Sequence, residues 1–361
     1  MAKEPKFTIS KKDDSPLWQT ILIKAIAVIL SLIVSALFLY FVTKLDPINV
    51  YASMYKGAFG TSRRFWITIR DAVFLLLVAV SLTPAFKMRF WNCGAEGQVL
   101  IGGLVTAALM INYGNTISTP VLLLIMFITS AICGALWAFL PAYFKAKYNT
   151  NETLFTLMMN YVAIQLVEFF VDFWDKKQAH SVGIINMNTH GGWFMSIGEY
   201  QYLLNVIIVL LISVLAYIYL KYSKHGFELA VVGESEATAK YAGINVKNTI
   251  IRTVLLSGGI AGIAGFVEVA GMSHTISKQT AGGRGFTAII VCWLAKFNIM
   301  SMAFISLLIV FLNKGASQIA SDFGLNEYAS NIITGIILFF ILGSEFFVNY
   351  KFVKHSHKEE A

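Results

Sequence analysis

Charge is what this chain has least of. Lys, Arg, Asp and Glu together make up 13% of its 361 residues, against roughly 25% in ordinary soluble domains, which excludes a single water-soluble globule. Cysteine is also scarce. Cys93, Cys133 and Cys292 lie far apart in or beside apolar stretches, so neither a disulfide framework nor a Cys/His metal set is expected. The six histidines offer no ligand spacing: His180 and His190 share one polar loop, and His355 and His357 sit in a charged tail. No G-x-x-x-x-G-K-S/T phosphate loop occurs, so nothing here cradles ATP, although Leu256-Ser257-Gly258-Gly259 imitates the start of an ATPase signature inside an apolar run. A nucleophile–base or metal constellation for catalysis is missing too. The net charge is +8, yet no basic stripe interleaved with aromatics marks a nucleic-acid surface.

What is present is apolar sequence in blocks. Hydrophobic residues make up 57% of the chain, and they fall in runs of about 20, the length an α-helix needs to cross a hydrocarbon core about 30 Å thick. Val206 to Leu215 is apolar at nearly every position, which excludes the alternation of an outer-membrane barrel strand. The expectation is an all-α polytopic membrane protein with about ten spans, near 20–44, 67–86, 96–112, 119–144, 153–172, 202–220, 249–271, 284–295, 299–315 and 330–349. Placing both termini in the cytoplasm puts 16 Lys and Arg in inner segments and nine in outer ones, as the positive-inside rule favours. The division that follows is a cytoplasmic segment 1–19, a transmembrane domain 20–349 with an inner loop 221–247, and a cytoplasmic tail 350–361. The block Ala25 to Thr43 reads as an uncleaved first helix.

Two spans are short and entered through glycine clusters: Trp91-Asn92-Cys93-Gly94-Ala95-Glu96-Gly97-Gln98 and Gly282-Gly283-Arg284-Gly285. Irregular backbone at membrane depth survives only buried in protein or lining a water-filled path. Asn151-Glu152 and Asn326-Glu327 each follow one of these breaks, on opposite sides of the membrane in this topology. The pattern suits either two inverted-repeat halves or a chance recurrence. Freed backbone groups, Asn92, Glu96 and Gln98 from the first break, and Gly285 and Phe286 from the second, form the expected substrate path. Glu96 either lines that path or pins the broken helix by accepting exposed N–H groups. Asn160 either adds an amide or packs between helices. Glu96, Glu168 and Glu268 are carboxylates within spans, costly there unless paired or hydrated, and Asp71 has Arg70 as a neighbour. Glu268 either contacts substrate or bonds a neighbouring helix; Gly258 and Gly262, four residues apart, permit close helix contact.

The inner loop contains Gly226-Phe227-Glu228-Leu229-Ala230-Val231-Val232-Gly233-Glu234-Ser235-Glu236-Ala237-Thr238-Ala239-Lys240-Tyr241-Ala242-Gly243-Ile244. Ser235 is placed to cap a short helix that Gly243 ends, a docking element by shape. This loop, followed by Ser257-Gly258-Gly259-Ile260-Ala261-Gly262, is similar to the permease subunits of ABC importers for simple sugars, and most closely to the nucleoside group. Asn92-x-Gly94-Ala95-Glu96-Gly97-Gln98, Asn151-Glu152 with Thr156-Leu157-Met158-x-Asn160-Tyr161, and Gly285-Phe286-Thr287 resemble the same group. The chain departs from it where Ala230-Val231-Val232-Gly233 lacks the usual arginine and where Leu294-Ala295-Lys296 replaces Leu-Leu-Gly.

The resemblance implies a permease subunit without a cofactor of its own, paired with an identical or paralogous permease. An ABC ATPase would bind the ATP, and an extracytoplasmic binding lipoprotein would deliver a nucleoside or simple sugar. ATPase coupling would then fall to Gly233, Glu234, Ser235, Ala239, Tyr241 and Gly243. The competing reading is an ion- or proton-coupled secondary transporter using Glu96 and Glu268.

Overall fold

The computed structural model describes residues 7–12, 16–38, 40–41, 44, 46–175, 181–324 and 327–354. Among them are thirteen α-helices and one two-stranded antiparallel ribbon. The chain divides into two compact units, Trp66–Val310 and the combination of Met1–Phe65 with Phe311–Ala361.

In the smaller unit β1 (Phe7–Lys11) pairs with β2 (Tyr350–Lys354), with Phe7 opposite Lys354 and Lys11 opposite Tyr350. This ribbon is an addition to the expected all-helical chain. Phe7-Thr8-Ile9-Ser10 alternates with period two, as a strand requires, but the stretch is too short to stand out beside the apolar blocks. Helix α1 (Leu17–Phe38) packs on α13 (Glu327–Asn349). Helix α2 (Pro47–Phe59) was not expected at all. Its start is nonetheless written locally: the Asp46 side chain accepts the Ile48 N–H at 3.1 Å, and Pro47 occupies the first helical turn, where its missing N–H costs nothing. Val50, Met54 and Ala58 form its buried stripe, four residues apart.

The larger unit contains most of α3 (Ser62–Lys87), then α4 (Ala95–Tyr113), α5 (Thr119–Tyr148), α6 (Glu152–Trp174), α7 (Leu203–Tyr222), α8 (Lys224–Glu234), α9 (Glu236–Tyr241), α10 (Val246–Glu268) and α11 (Arg284–Leu294), with α12 (Ile299–Phe323) following. Helix α10 is the spine and continues into one π-helical segment, Val269–Ser273. It packs on α4 and α5 backbone to backbone. A Cβ at Gly262 would stand 2.1 Å from the Ser130 carbonyl oxygen, and one at Gly265 would stand 2.1 Å from that of Val99. The close approach expected of Gly258 and Gly262 is therefore real, and it extends one turn further.

Seven of these helices are long and apolar enough to cross a membrane, and Ala25–Phe38, Arg284–Leu294 and Ile332–Val348 are shorter apolar helices. This is a multi-pass membrane protein. Every expected span overlaps a helix, the first as far as Phe38, with its residues 39, 42 and 43 outside the described residues, but the eighth is only half a crossing: eleven residues rise about 16 Å, against a core of about 30 Å. The irregular segment 274–283 precedes it.

Candidate functional site

The two glycine breaks meet each other. Gly94 is the N-cap of α4, and Gly283, at φ 73°, is the N-cap of α11. Neither glycine has a side chain with which to cap its helix. The first-turn N–H groups of a helix need partners, and at α11 both come from one residue: Glu96 accepts the Gly283 N–H at 2.7 Å and the Gly285 N–H at 2.8 Å. The carboxylate also sits at the positive dipole end of both helices. A Cβ on Gly285 would fall 2.5 Å from the Glu96 nitrogen, so only glycine allows this junction. Of the two sequence readings for Glu96, the geometry matches the one in which it pins the broken helix.

The break before α4 is satisfied from α6. Asn160 accepts the Gly97 N–H at 2.9 Å and donates to the Cys93 carbonyl at 2.8 Å. Thr156, one turn earlier, accepts the Cys93 N–H at 3.1 Å. Asn92 and Gln98, both buried, form a reciprocal amide pair, with each amide nitrogen 3.2 Å from the other's oxygen. Asn92 also donates to Ser257 of α10 at 3.2 Å and accepts the Gly94 N–H at 3.0 Å. The backbone and amide groups expected to face a substrate are thus occupied by protein partners, because each break lies within reach of a polar side chain on a neighbouring helix. Ser257 and Thr156 carry parts of this network that the sequence did not reveal as such.

Glu268 is held in a second cluster. Arg284, the first residue of α11, donates to it at 3.2 Å and lies 4.0 Å from Asp71, while Arg70 pairs with Asp71 at 2.8 Å. Two acids and two bases are balanced, as groups withdrawn from water must be. Arg284 also lies over the Phe74 ring at 4.8 Å. Glu168 reaches Lys278 at 2.6 Å. Phe286 is 47% exposed and shares with Ile290 and Trp293 the open face of α11. Trp293 stacks on Trp91, with ring centroids 5.3 Å apart.

At the far end of the unit stands the expected docking element. Ser235 ends α8 and caps α9, accepting the Thr238 N–H at 3.2 Å. Gly243, at φ 75°, closes α9 with two backbone bonds, Gly243 N–H to Lys240 and Ile244 N–H to Ala239, the Schellman pattern. Helix α8 seats on the end of α3, where a Cβ on Gly233 would lie 2.2 Å from the Lys87 carbonyl. Ala239 does not face outward as its placement in a docking helix suggested. It is fully buried in a cluster with Met88, Leu229, Val232 and Ile250. Of the residues expected to couple, Glu234, Gly243 and above all Tyr241, 93% exposed, face outward.

A family model described as the permease component of branched-chain amino acid transport systems matches residues 65–342. The chain belongs to this permease family. It is an ABC transporter permease component, a subunit that moves a solute and makes or breaks no bond in it. A guanosine ABC transporter permease protein of Bacillus subtilis is 29% identical over 90% of this chain and 93% of its own length. A nucleoside ABC transporter permease protein of Lactococcus lactis is 27% identical over 82% and 84%, respectively. A glucose ABC transporter permease protein of Haloferax volcanii is 26% identical over 85% and 83%. No solved structure matches the permease.

Proposed function

We propose that the chain is one permease of an ATP-driven importer that moves a nucleoside or a related simple sugar inward across the cytoplasmic membrane. The observation that carries this reading is the pairing of a capped, outward-facing α9 with the absence of any phosphate loop in the chain. Any energy from ATP then arrives through contact with a separate ATPase, and Tyr241 is the side chain best placed to meet it. The substrate class rests on the relatives, two of which carry nucleosides or guanosine in their names and one glucose.

Ten membrane-embedded segments with both termini in the cytoplasm fit this reading. Pairing of β1 with β2 supports termini on one side and therefore an even number of crossings. The Glu96 junction, where α4 and α11 start toward opposite sides in that topology, is what an inverted repeat would place at its centre. The substrate path follows the open face of α11, from Phe286 past Ile290 to Trp293 and Trp91, with a second permease and a binding lipoprotein completing the machine. Asn92, Gln98 and Asn160 brace the path; Phe286 lines it, since an aromatic face stacks on a base or sugar ring. Uptake of labelled guanosine, uridine, glucose and leucine by cells carrying the permease with its neighbouring subunits tests this. Competition within the nucleoside or sugar set, altered in selectivity by Phe286→Ala at unchanged membrane abundance, is the expected result. Uptake of leucine alone would overturn the substrate assignment.

A further inference from the structure

We propose that the end of the permease that carries α8 holds a phosphate-bearing ligand, the headgroup of an anionic phospholipid, in a cavity between the ends of α3 and α7 and the turn joining α11 to α12. The cavity encloses about 400 Å³ and is lined by Lys87, Lys221 and Lys296 together with Tyr217, Leu220 and Asn298, and by no carboxylate among the described residues. Lysines from three separate elements line it. Lys87 is the last residue of α3, Lys221 lies in the last turn of α7, and Lys296 lies in the turn after α11. Phosphate oxygens accept from several ammonium donors at once.

The level of the cavity identifies the source of the phosphate. Lys87 and Lys221 stand where membrane helices end, and Tyr217, Tyr219 and Tyr222 ring the same end of α7, the arrangement of an interfacial aromatic belt. Basic pockets between membrane helices on the cytoplasmic side suit anionic lipid headgroups. The second observation is apolar. A separate cavity of about 620 Å³ runs along α7 and is lined by Pro84, Leu215, Ile218, Leu256, Ile260 and Ile263 among others. Leu220 lines both cavities, and Pro84 and Lys87 lie one turn apart on α3. A phosphate seated among the lysines with an acyl chain along α7 fills both. A soluble phosphate ester fills only the first.

The full chain in nanodiscs of mixed phosphatidylglycerol and phosphatidylcholine, released and weighed by native mass spectrometry, reads this directly. Wild-type protein is expected to retain phosphatidylglycerol over phosphatidylcholine. Each lysine of the cavity replaced by Gln should weaken retention about fivefold, so Lys296→Gln alone is measurable and the triple Lys87→Gln, Lys221→Gln, Lys296→Gln should abolish the preference. The triple Lys→Arg variant should keep it, which separates loss of charge from loss of fold. A control triple at Lys224, Lys240 and Lys247, on the same end but outside the cavity, should keep it as well. The proposal is overturned if the Gln triple retains phosphatidylglycerol as wild type does, or if the control triple loses as much. It is equally overturned if millimolar glycerol 3-phosphate displaces the lipid and remains bound, which would assign the cavity to a soluble phosphate.

Discussion

At the scale of single residues, Glu96 decides the most. It satisfies two N–H groups that no other side chain among the described residues reaches, the buried one of Gly285 and the part-buried one of Gly283, and a buried donor left without a partner costs about 1–3 kcal/mol. Glu96→Leu should therefore destabilise the protein by roughly 1–3 kcal/mol, whereas Glu96→Gln, which keeps one acceptor oxygen, should lose about half of that. Chemical unfolding in detergent, followed by tryptophan fluorescence, checks the order. Equal stability of the Leu and Gln variants would remove the capping role. Asn160→Ala exposes the Gly97 N–H and the Cys93 carbonyl in the same way and should cost about as much. The sequence marked Glu96, Asn160 and Gly285 as belonging together through motif and glycine spacing. It could not say which partner each would take, because hydrogen bonds between α4 and α11 join residues almost 190 positions apart, and only the fold brings those to within 3 Å.

At the scale of elements, α8 and α9 carry the coupling account. Tyr241→Ala should leave the permease folded and abundant in the membrane but reduce ATP-linked uptake about tenfold or more, measured as transport per ATP hydrolysed; full coupling would show that the docking face lies elsewhere. Ala239→Asp should fail differently, through instability, since a carboxylate would enter a closed apolar cluster. His225 on α8 bridges Tyr219 and Thr253 at 2.9 and 3.1 Å, and burial pushes its pKa below the ordinary value. The unfolded form then binds more protons than the folded form below about pH 6.5, so the hold of α8 on the helix bundle weakens as pH falls through that value and is complete above it. Amide exchange of Phe227 to Val231, corrected for intrinsic rate, should accelerate at pH 5.5 relative to 7.5 in wild type but not in His225→Gln. The α9 caps were legible because Ser235 and Gly243 act on neighbours three or four residues away. The inward face of Ala239 was not, because the helix is too short for its pattern of residues to reveal which side the rest of the protein covers.

At the scale of the whole molecule, the long apolar helices, seven of which could cross a membrane among the described residues, were legible from hydrophobic length alone, whereas α2 and the β1–β2 ribbon were hidden by their shortness and mixed polarity. The number of crossings and their direction remain tied to the pairing of the two ends. With cysteine placed singly at position 180, outside the described residues, and at Lys351 on β2, a membrane-impermeant thiol reagent should modify the first in intact cells and the second only after permeabilisation. Labelling of both from outside would break the even-crossing topology. In the proposed importer, energy reaches the permease from a separate ATPase through α9. Nucleoside uptake into proteoliposomes, reconstituted with the partner permease, binding protein and ATPase, tests it most directly. Uptake should require ATP and the ATPase and should be unaffected when ionophores collapse every ion gradient. Uptake that persists without ATPase or ATP and follows an imposed proton or sodium gradient would contradict it.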